Sequence, residues 1–458
     1  KAIEEGQKAL SEDHEDIMIR LFLSNIYNLK GDKDKAEEIL QEALQKDPKN
    51  IQTYTKLAQF YHSNKEYQKA EDAMLKAILI DPENSNLLMD LAKMYQAQDN
   101  EAKAEEVLKN GIASFPENLE FVLSLARFYI SKNKKDDAEA LLLKDLDAHP
   151  KDIKRLISLG DYYKGFLKNN EKAKKLYNKA LEIEPDSLEA KRRYAILLIE
   201  ENDYKTAGKY TEEILKDNPK DTQALYLNGI ISMNKNDPST AINNFRVVLK
   251  DQPDNSEVHL QLGLAHLANN EPLLGEEELR KAVEINPKQL AAQMELAKIS
   301  LDKNKINEAK QFAEKIIQED PEFFDAYIIL AETDLREGDN AAAQKAAEKL
   351  IQLKPEKPQG YFYRGLVFYS KKEPDNALKD YEKALSLDQK YFLALSGIVN
   401  ISVNKKDFEG AVTRIKKQME ISPQNISFYE LLARTYILKK DFLEAENVLN
   451  KAIKIDQD

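Results

Sequence analysis

The sequence predicts an all-α protein, a solenoid that stacks one helix–turn–helix unit many times, and three observations carry that prediction. The first is a period. Pro48, Pro82, Pro116 and Pro150 are 34 residues apart, Pro185 follows after 35, and Pro219, Pro253, Pro287, Pro321 and Pro355 resume the 34-residue step. Pro423 falls on the same count, so eleven of the fifteen prolines share one position. A fixed period of this size is how a repeat architecture appears in sequence. The second observation is a pair of small-residue positions locked to that count. Alanine or glycine stands twelve residues before each anchor, from Ala2 and Ala36 through Gly275 to Ala445. Another small residue stands ten after it, as at Ala58, Ala92, Gly160, Gly229 and Gly365, with Val399 the exception. The third is composition. Only 14 glycines and 15 prolines in 458 residues leave too little punctuation for a sandwich, a barrel or a loop-rich enzyme, while strong helix formers run throughout.

In chain order, residues 1–16 read as the second helix of a truncated unit. Thirteen units follow, at 17–50, 51–84, 85–118, 119–152, 153–187, 188–221, 222–255, 256–289, 290–323, 324–357, 358–391, 392–425 and 426–458. Each holds two helical patterns joined by a polar turn such as Lys30-Gly31-Asp32 or Ser63-Asn64-Lys65-Glu66. Apolar residues at helical spacing mark the buried stripe, Leu57 on a first helix and Ile39 and Leu40 on a second. The small residues belong where the two backbones come closest, because a large side chain there would force the helices apart. Each anchor proline ends the second helix, after an aspartate in Asp47-Pro48, Asp81-Pro82 and Asp320-Pro321. Pro238, Pro272 and Pro374 fall instead in the first turn of a second helix, where the missing N–H costs little. Pro358 lies at a unit boundary.

The segments Tyr361-Phe-Tyr-Arg-Gly-Leu-Val-Phe-Tyr369 and Asn376-Ala-Leu-Lys-Asp-Tyr-Glu-Lys-Ala-Leu385 resemble the tetratricopeptide repeat (TPR) family, and the resemblance extends over the whole chain. It implies a right-handed α-solenoid of thirteen TPR repeats plus one N-terminal half repeat, wound into one continuous superhelix. Two departures stand out. The family's early tryptophan is absent, its place taken by residues such as Tyr54, Leu88, Leu156, Tyr327 and Tyr429. The fifth repeat also carries one extra residue near Gly165-Phe166-Leu167.

Composition and motifs exclude most chemistry. A net charge of −12 argues against a nucleic-acid surface, which needs a basic face. The absence of cysteine removes disulfides, thiolate metal sites and a thiol nucleophile. Apolar runs such as Tyr327 to Ala331 are too short to span a bilayer, so no direct membrane insertion is expected. Gly160-Asp-Tyr-Tyr-Lys-Gly165 has P-loop glycine spacing but continues Phe166-Leu167 where Lys-Ser/Thr is required. His259 and His266 fall at core-facing positions and read as packed histidines rather than metal ligands. The carboxylates alternate with lysines as on a solvated helix face. No catalytic constellation, cofactor or metal site is expected, and the chain reads as non-enzymatic.

What remains is binding. The resemblance implies that repeat positions 2, 5, 6, 9, 12 and 13 face a concave groove. The family's carboxylate clamp does not fit, since the first three repeats offer Leu21, Asn25, Lys56, Asn86 and Asp90. The groove instead reads as bipartite. Over repeats 2–6 it is modestly basic, with Lys56, Lys93, Arg127, Lys154, Lys164, Arg192 and Arg193 against fewer carboxylates. Over repeats 7–11 it is apolar, with Tyr226, Leu227, Ile230, Met233, Leu260, Leu264, Ile328, Ile329, Phe362, Tyr363 and Tyr369. Half-burial between neighbouring first helices accounts for some of these. Adjacent apolar pairs (Tyr226-Leu227, Ile328-Ile329, Phe362-Tyr363) suggest a trough for an apolar or amphipathic segment of a protein partner.

Three functions follow as expectations: a non-catalytic scaffold holding a protein or peptide in the groove, the targeting arm of a larger enzyme such as a glycosyltransferase, and a structural scaffold self-associating through uncapped ends. A start and stop within repeats lead us to expect a piece of a longer protein, whose compartment, cytoplasm or envelope, is unknown. The Lys-, Glu- and Asn-rich texture resembles bacterial TPR lipoproteins of exopolysaccharide export and exosortase-type sorting.

Overall fold

A computed structural model describes residues 2–455. Among them are twenty-seven α-helices, each joined to the next by a short turn. The first, Ala2–Glu12, stands alone, and thirteen helix pairs follow. The first helices of those pairs begin at 17, 51, 85, 119, 153, 188, 222, 256, 290, 324, 358, 392 and 426. Two compact units divide the chain, Lys1–Tyr210 and Thr211–Asp458. Within each unit a helix packs on its pair partner and on the next pair, and successive first helices also touch, as Ile153–Gly165 and Leu188–Glu200 do.

Local chemistry starts and stops each helix. In several repeats the residue two after the anchor proline caps the next first helix: Asn50 Oδ1 accepts from Thr53 N at 2.9 Å and Asp152 Oδ1 from Arg155 N at 3.1 Å. Pro238, Pro272, Pro358 and Pro374 all sit in the opening turn of a helix. The inner turn of every pair contains one residue in the left-handed region. It is glycine at Gly31 and Gly338, and Asn, Asp or Lys elsewhere, as at Asn133 (φ 58°) and Lys372 (φ 62°). A lysine Cβ is strained there and glycine is not, so Lys372→Gly is expected to raise stability by about 0.5–1 kcal/mol, read as a higher urea midpoint at unchanged slope. In the fifth repeat the extra residue lengthens the turn to Phe166–Asn169, and Lys168 takes the left-handed conformation.

Packing follows the small-residue positions. Ala36, Ala70 and Ala104 are fully buried. A Cβ on Gly160 would lie 2.5 Å from the Tyr177 ring, and one on Gly365 equally close to Tyr381. Each of these glycines makes room for an almost fully buried tyrosine on the second helix.

The position of the absent tryptophan has a second use. Tyr54, His259, Gln293, Tyr327 and Tyr429 each reach back six residues to the anchor-proline carbonyl, at distances from 2.5 to 3.3 Å. The polar tip satisfies an acceptor at the helix entry while the body packs. In Lys1–Tyr210 a further ladder ties adjacent repeats. Tyr61, Tyr129 and Tyr163 donate to Glu37, Glu105 and Glu139 at 2.6, 2.8 and 2.6 Å. Lys172 completes one rung, 2.9 Å from Glu139 and 4.6 Å above the Tyr163 ring. Donation from Tyr163 and Lys172 holds the Glu139 carboxyl below its ordinary range.

Candidate functional site

On the first-helix face the two units differ, and repeat position 6 accounts for much of the difference. In repeats 7, 10, 11 and 13 of Thr211–Asp458 it carries Leu227, Ile329, Tyr363 and Leu431, all buried, while repeats 8, 9 and 12 carry Gln261, Glu295 and Gly397 there. Leu260 and Ile329 belong to one apolar core, Phe362 and Tyr363 to another. Phe362 packs edge-on to Tyr363 and Tyr391, with ring centroids 5.3 and 5.6 Å apart. Leu264 and Ile328 are half-buried against these two cores, and Tyr226, Ile230 and Met233 against a third that contains Leu225, Phe245 and Val258. Tyr369 is exposed, its hydroxyl accepting from Asn404. The apolar face read from the sequence therefore spends most of its large side chains on filling the space between neighbouring first helices, leaving edges and one tyrosine to solvent.

In Lys1–Tyr210 the same position carries Ser124 and Ser158 in repeats 4 and 5. These small side chains leave two clefts, one on each side of the helix Leu119–Ser131. The first, about 400 Å³, opens between that helix and Ser85–Ala97 over a floor of Leu108, and its charged lining is balanced, Lys93, Arg127 and Lys132 against Asp99, Glu101 and Glu120, with Gln96 and Ser124 between them. The second, about 200 Å³, opens toward Ile153–Gly165 and is lined by Leu123, Ile130, Ser158, Tyr162 and Phe166 over Leu142. Arg127 lines both.

The electrostatics of the first cleft are mixed. Arg127 Nη2 donates to Glu120 and, at 3.2 Å, to Ser124 Oγ. Lys132 pairs with Glu101 at 2.5 Å and Lys93 with Asp90 at 3.7 Å. More than half of the side-chain surface of Arg127 and of Glu120 is open to solvent, so their pair contributes little, about 0.2–1 kcal/mol. Among the described residues the Nε and Nη1 protons of Arg127 have no protein acceptor within hydrogen-bonding reach. In the second cleft Phe166 is 45% exposed and packs 5.8 Å from the Tyr162 ring. Asp161 at its edge accepts from Tyr177 at 2.7 Å and faces Arg193 Nε at 3.5 Å.

The three arginines singled out in the sequence thus fall in one unit with different surroundings. Arg127 stands between the clefts, Arg193 is tied to Glu189 at 2.7 Å beside the second, and Arg192 is mostly buried near Glu189. Ser124, Ser158 and Phe166 are not among the sequence candidates, and a small residue at position 6 is only part of the signal, since Gly397 occupies the same position and the Tyr381 ring fills the space beside it. The two histidines are buried beside carboxylates, His259 at 2.6 Å from Glu278 and His266 at 2.5 Å from Glu271. Among the described residues no group of three or more His, Asp or Glu is placed to hold a metal, and no helix is long and apolar enough to cross a membrane.

Profiles of the tetratricopeptide repeat match residues 31–79, 97–159, 167–228, 226–289, 290–323, 358–391 and 426–458. No curated protein matches the chain. Among solved structures it is similar to a chain of the APC/C hetero-tetramer Cut9–Hcn1, at 14% identity, covering 100% of this chain and 90% of that one, with a TM-score of 0.42. It is similar to PilF of Pseudomonas aeruginosa at 22% identity over 45% of this chain and 94% of that one, TM-score 0.42. Yeast Tom70 is similar at 18% identity over 96% and 97%, TM-score 0.38.

Proposed function

This chain belongs to the tetratricopeptide repeat family, and we propose that it is a non-catalytic scaffold that holds a segment of another protein against the first helices of repeats 3–5. The observation that carries this reading is the pair of open clefts at Ser124 and Ser158, on a face where the equivalent residues of repeats 7, 10 and 11 are buried core. A repeat protein gains nothing in stability from leaving such space unfilled, so the gaps favour an external occupant. Lys93, Arg127 and Lys132 supply donors and Leu123, Ile130 and Phe166 supply apolar contact, a combination suited to a polypeptide. In repeats 7–11, Tyr369 and the half-buried edges of Tyr226, Ile230, Met233, Leu264 and Ile328 offer a shallower apolar strip for the same class of partner.

The test is affinity capture from source-cell extract with wild type and Arg127→Glu as parallel baits. Arg127 is exposed, so losing its pair with Glu120 and opposing two carboxylates should cost no more than about 1–2 kcal/mol, while proteins retained by wild type should be lost. Identical captures from both baits would move the site away from repeats 3–5.

A further inference from the structure

The geometry points to a two-part code at this site: the cleft at Ser124 takes a carboxylate, and the cleft at Ser158 takes a large apolar side chain of the same extended segment. This rests on the scaffold reading above and names the chemistry of the partner.

The first half of the code comes from Arg127. Its guanidinium directs one nitrogen to Glu120 and Ser124 and leaves Nε and Nη1 donors without a protein acceptor among the described residues. Lys93 and Lys132 line the same cleft. A visiting carboxylate would exchange for Glu120, whose exposed ion pair costs little to break, and would gain charge-assisted hydrogen bonds from the fork. Because the cleft's own carboxylates compete for these cations, affinity for an acidic residue is set by that exchange and not by a standing positive field.

The second half comes from the neighbouring cleft. Leu123, Ile130, Leu142, Tyr162 and Phe166 form most of an open cleft of about 200 Å³, with Arg127, Ser158 and Asp161 as its polar lining. One leucine or phenylalanine side chain would cover the exposed face of Phe166 there. Spacing links the two halves. Neighbouring first helices pack about 8–10 Å apart and an extended chain advances about 3.3 Å per residue, so the acidic and apolar residues lie roughly two or three positions apart.

The fold supplies its own control. Repeats 7, 10 and 11 bury Leu227, Ile329 and Tyr363 at the position that Ser158 occupies. Ser158→Phe, or Ser158→Leu should phenylalanine fail to fold, therefore plugs the apolar cleft with a side chain this architecture already accommodates.

The experiment selects random dodecapeptides displayed without a free C-terminus against the full chain. Enriched peptides, synthesised with both ends blocked, are then titrated by fluorescence anisotropy. We expect enrichment of Asp or Glu two or three positions from Leu, Ile, Phe or Tyr. Arg127→Met should weaken binding by about two- to fivefold and the Ser158 variant by about tenfold or more, and Glu120→Gln should tighten it by about two- to fivefold. Enriched peptides that lack the acidic–apolar pair, or that bind the Ser158 variant as well as wild type, overturn the code while leaving the scaffold reading intact. Absence of any enrichment counts against both.

Discussion

Ile329→Asp is expected to unfold its part of Thr211–Asp458, whereas Ile328→Asp should leave a folded chain. The two isoleucines are consecutive, yet Ile329 is 4% exposed within an apolar core that includes Leu296, Phe312 and Ile316, and Ile328 is only half-buried. A carboxylate at 329 loses the burial of its apolar side chain and must shed its hydration or its charge. The combined cost is about 4 kcal/mol or more. A carboxylate at 328 can turn to solvent and should cost about 1–2 kcal/mol. Because each repeat is stabilised by its neighbours, the damage at 329 should spread to the adjacent repeats. Far-UV circular dichroism with urea titration measures both variants. Equal midpoints would show that Ile329 is not a core residue and would return the pair to the list of partner contacts.

Arg155→Leu is expected to destabilise Lys1–Tyr210 by about 3–5 kcal/mol, although it replaces a charged residue with an apolar one. Arg155 is buried, and its guanidinium meets three acceptors. Nε lies 2.9 Å from Asp145, Nη1 2.5 Å from Asp152, and Nη2 donates to the carbonyl of Pro116 at 2.9 Å. These tie one helix to its own cap, to the preceding second helix and to an anchor turn further back. Removing the arginine leaves Asp145, itself 10% exposed, without its counter-charge. The double variant Arg155→Leu, Asp145→Leu should recover part of the loss, because it also removes the stranded carboxylate.

The same contact predicts a pH dependence. Burial alone would raise the Asp152 carboxyl, but hydrogen bonds from Arg155 and its charge outweigh this and hold it below its ordinary range. A depressed carboxyl contributes stability that is present above its unfolded pKa and is lost as pH falls through the folded one. The gap between wild type and Arg155→Leu should therefore narrow on acidification below about pH 4. A gap independent of pH would mean that the variant acts through packing alone.

Much of this molecule is legible along one dimension. The 34-residue count places the start of every first helix, and in most repeats the cause is local: a proline two residues past a helix end, joined in several by a capping Asn or Asp two residues later, acts on its immediate neighbours. The small-residue positions mark the close helix approaches, because Gly160 and Gly365 can be matched to Tyr177 and Tyr381 one helix further along. Turn residues such as Gly31 and Asn133 follow from backbone conformation in the same local way. All of these depend on forces that act within one repeat, and the period makes them visible thirteen times.

The binding face is a different kind of quantity. Whether position 5 or position 6 is buried varies from repeat to repeat, so Ile329 lies in the core and Ile328 at its edge, while Phe362 and Tyr363 are both inside. The clefts beside Arg127 arise from side chains on several helices of three successive repeats. A gap is a difference between the space those helices enclose and the volume their side chains fill. The fork of Arg155 likewise spans residues 116 to 155. Periodicity shows which positions face one another, but volume left over and charge left unpaired are sums over neighbours. Those sums exist only once the repeats have packed.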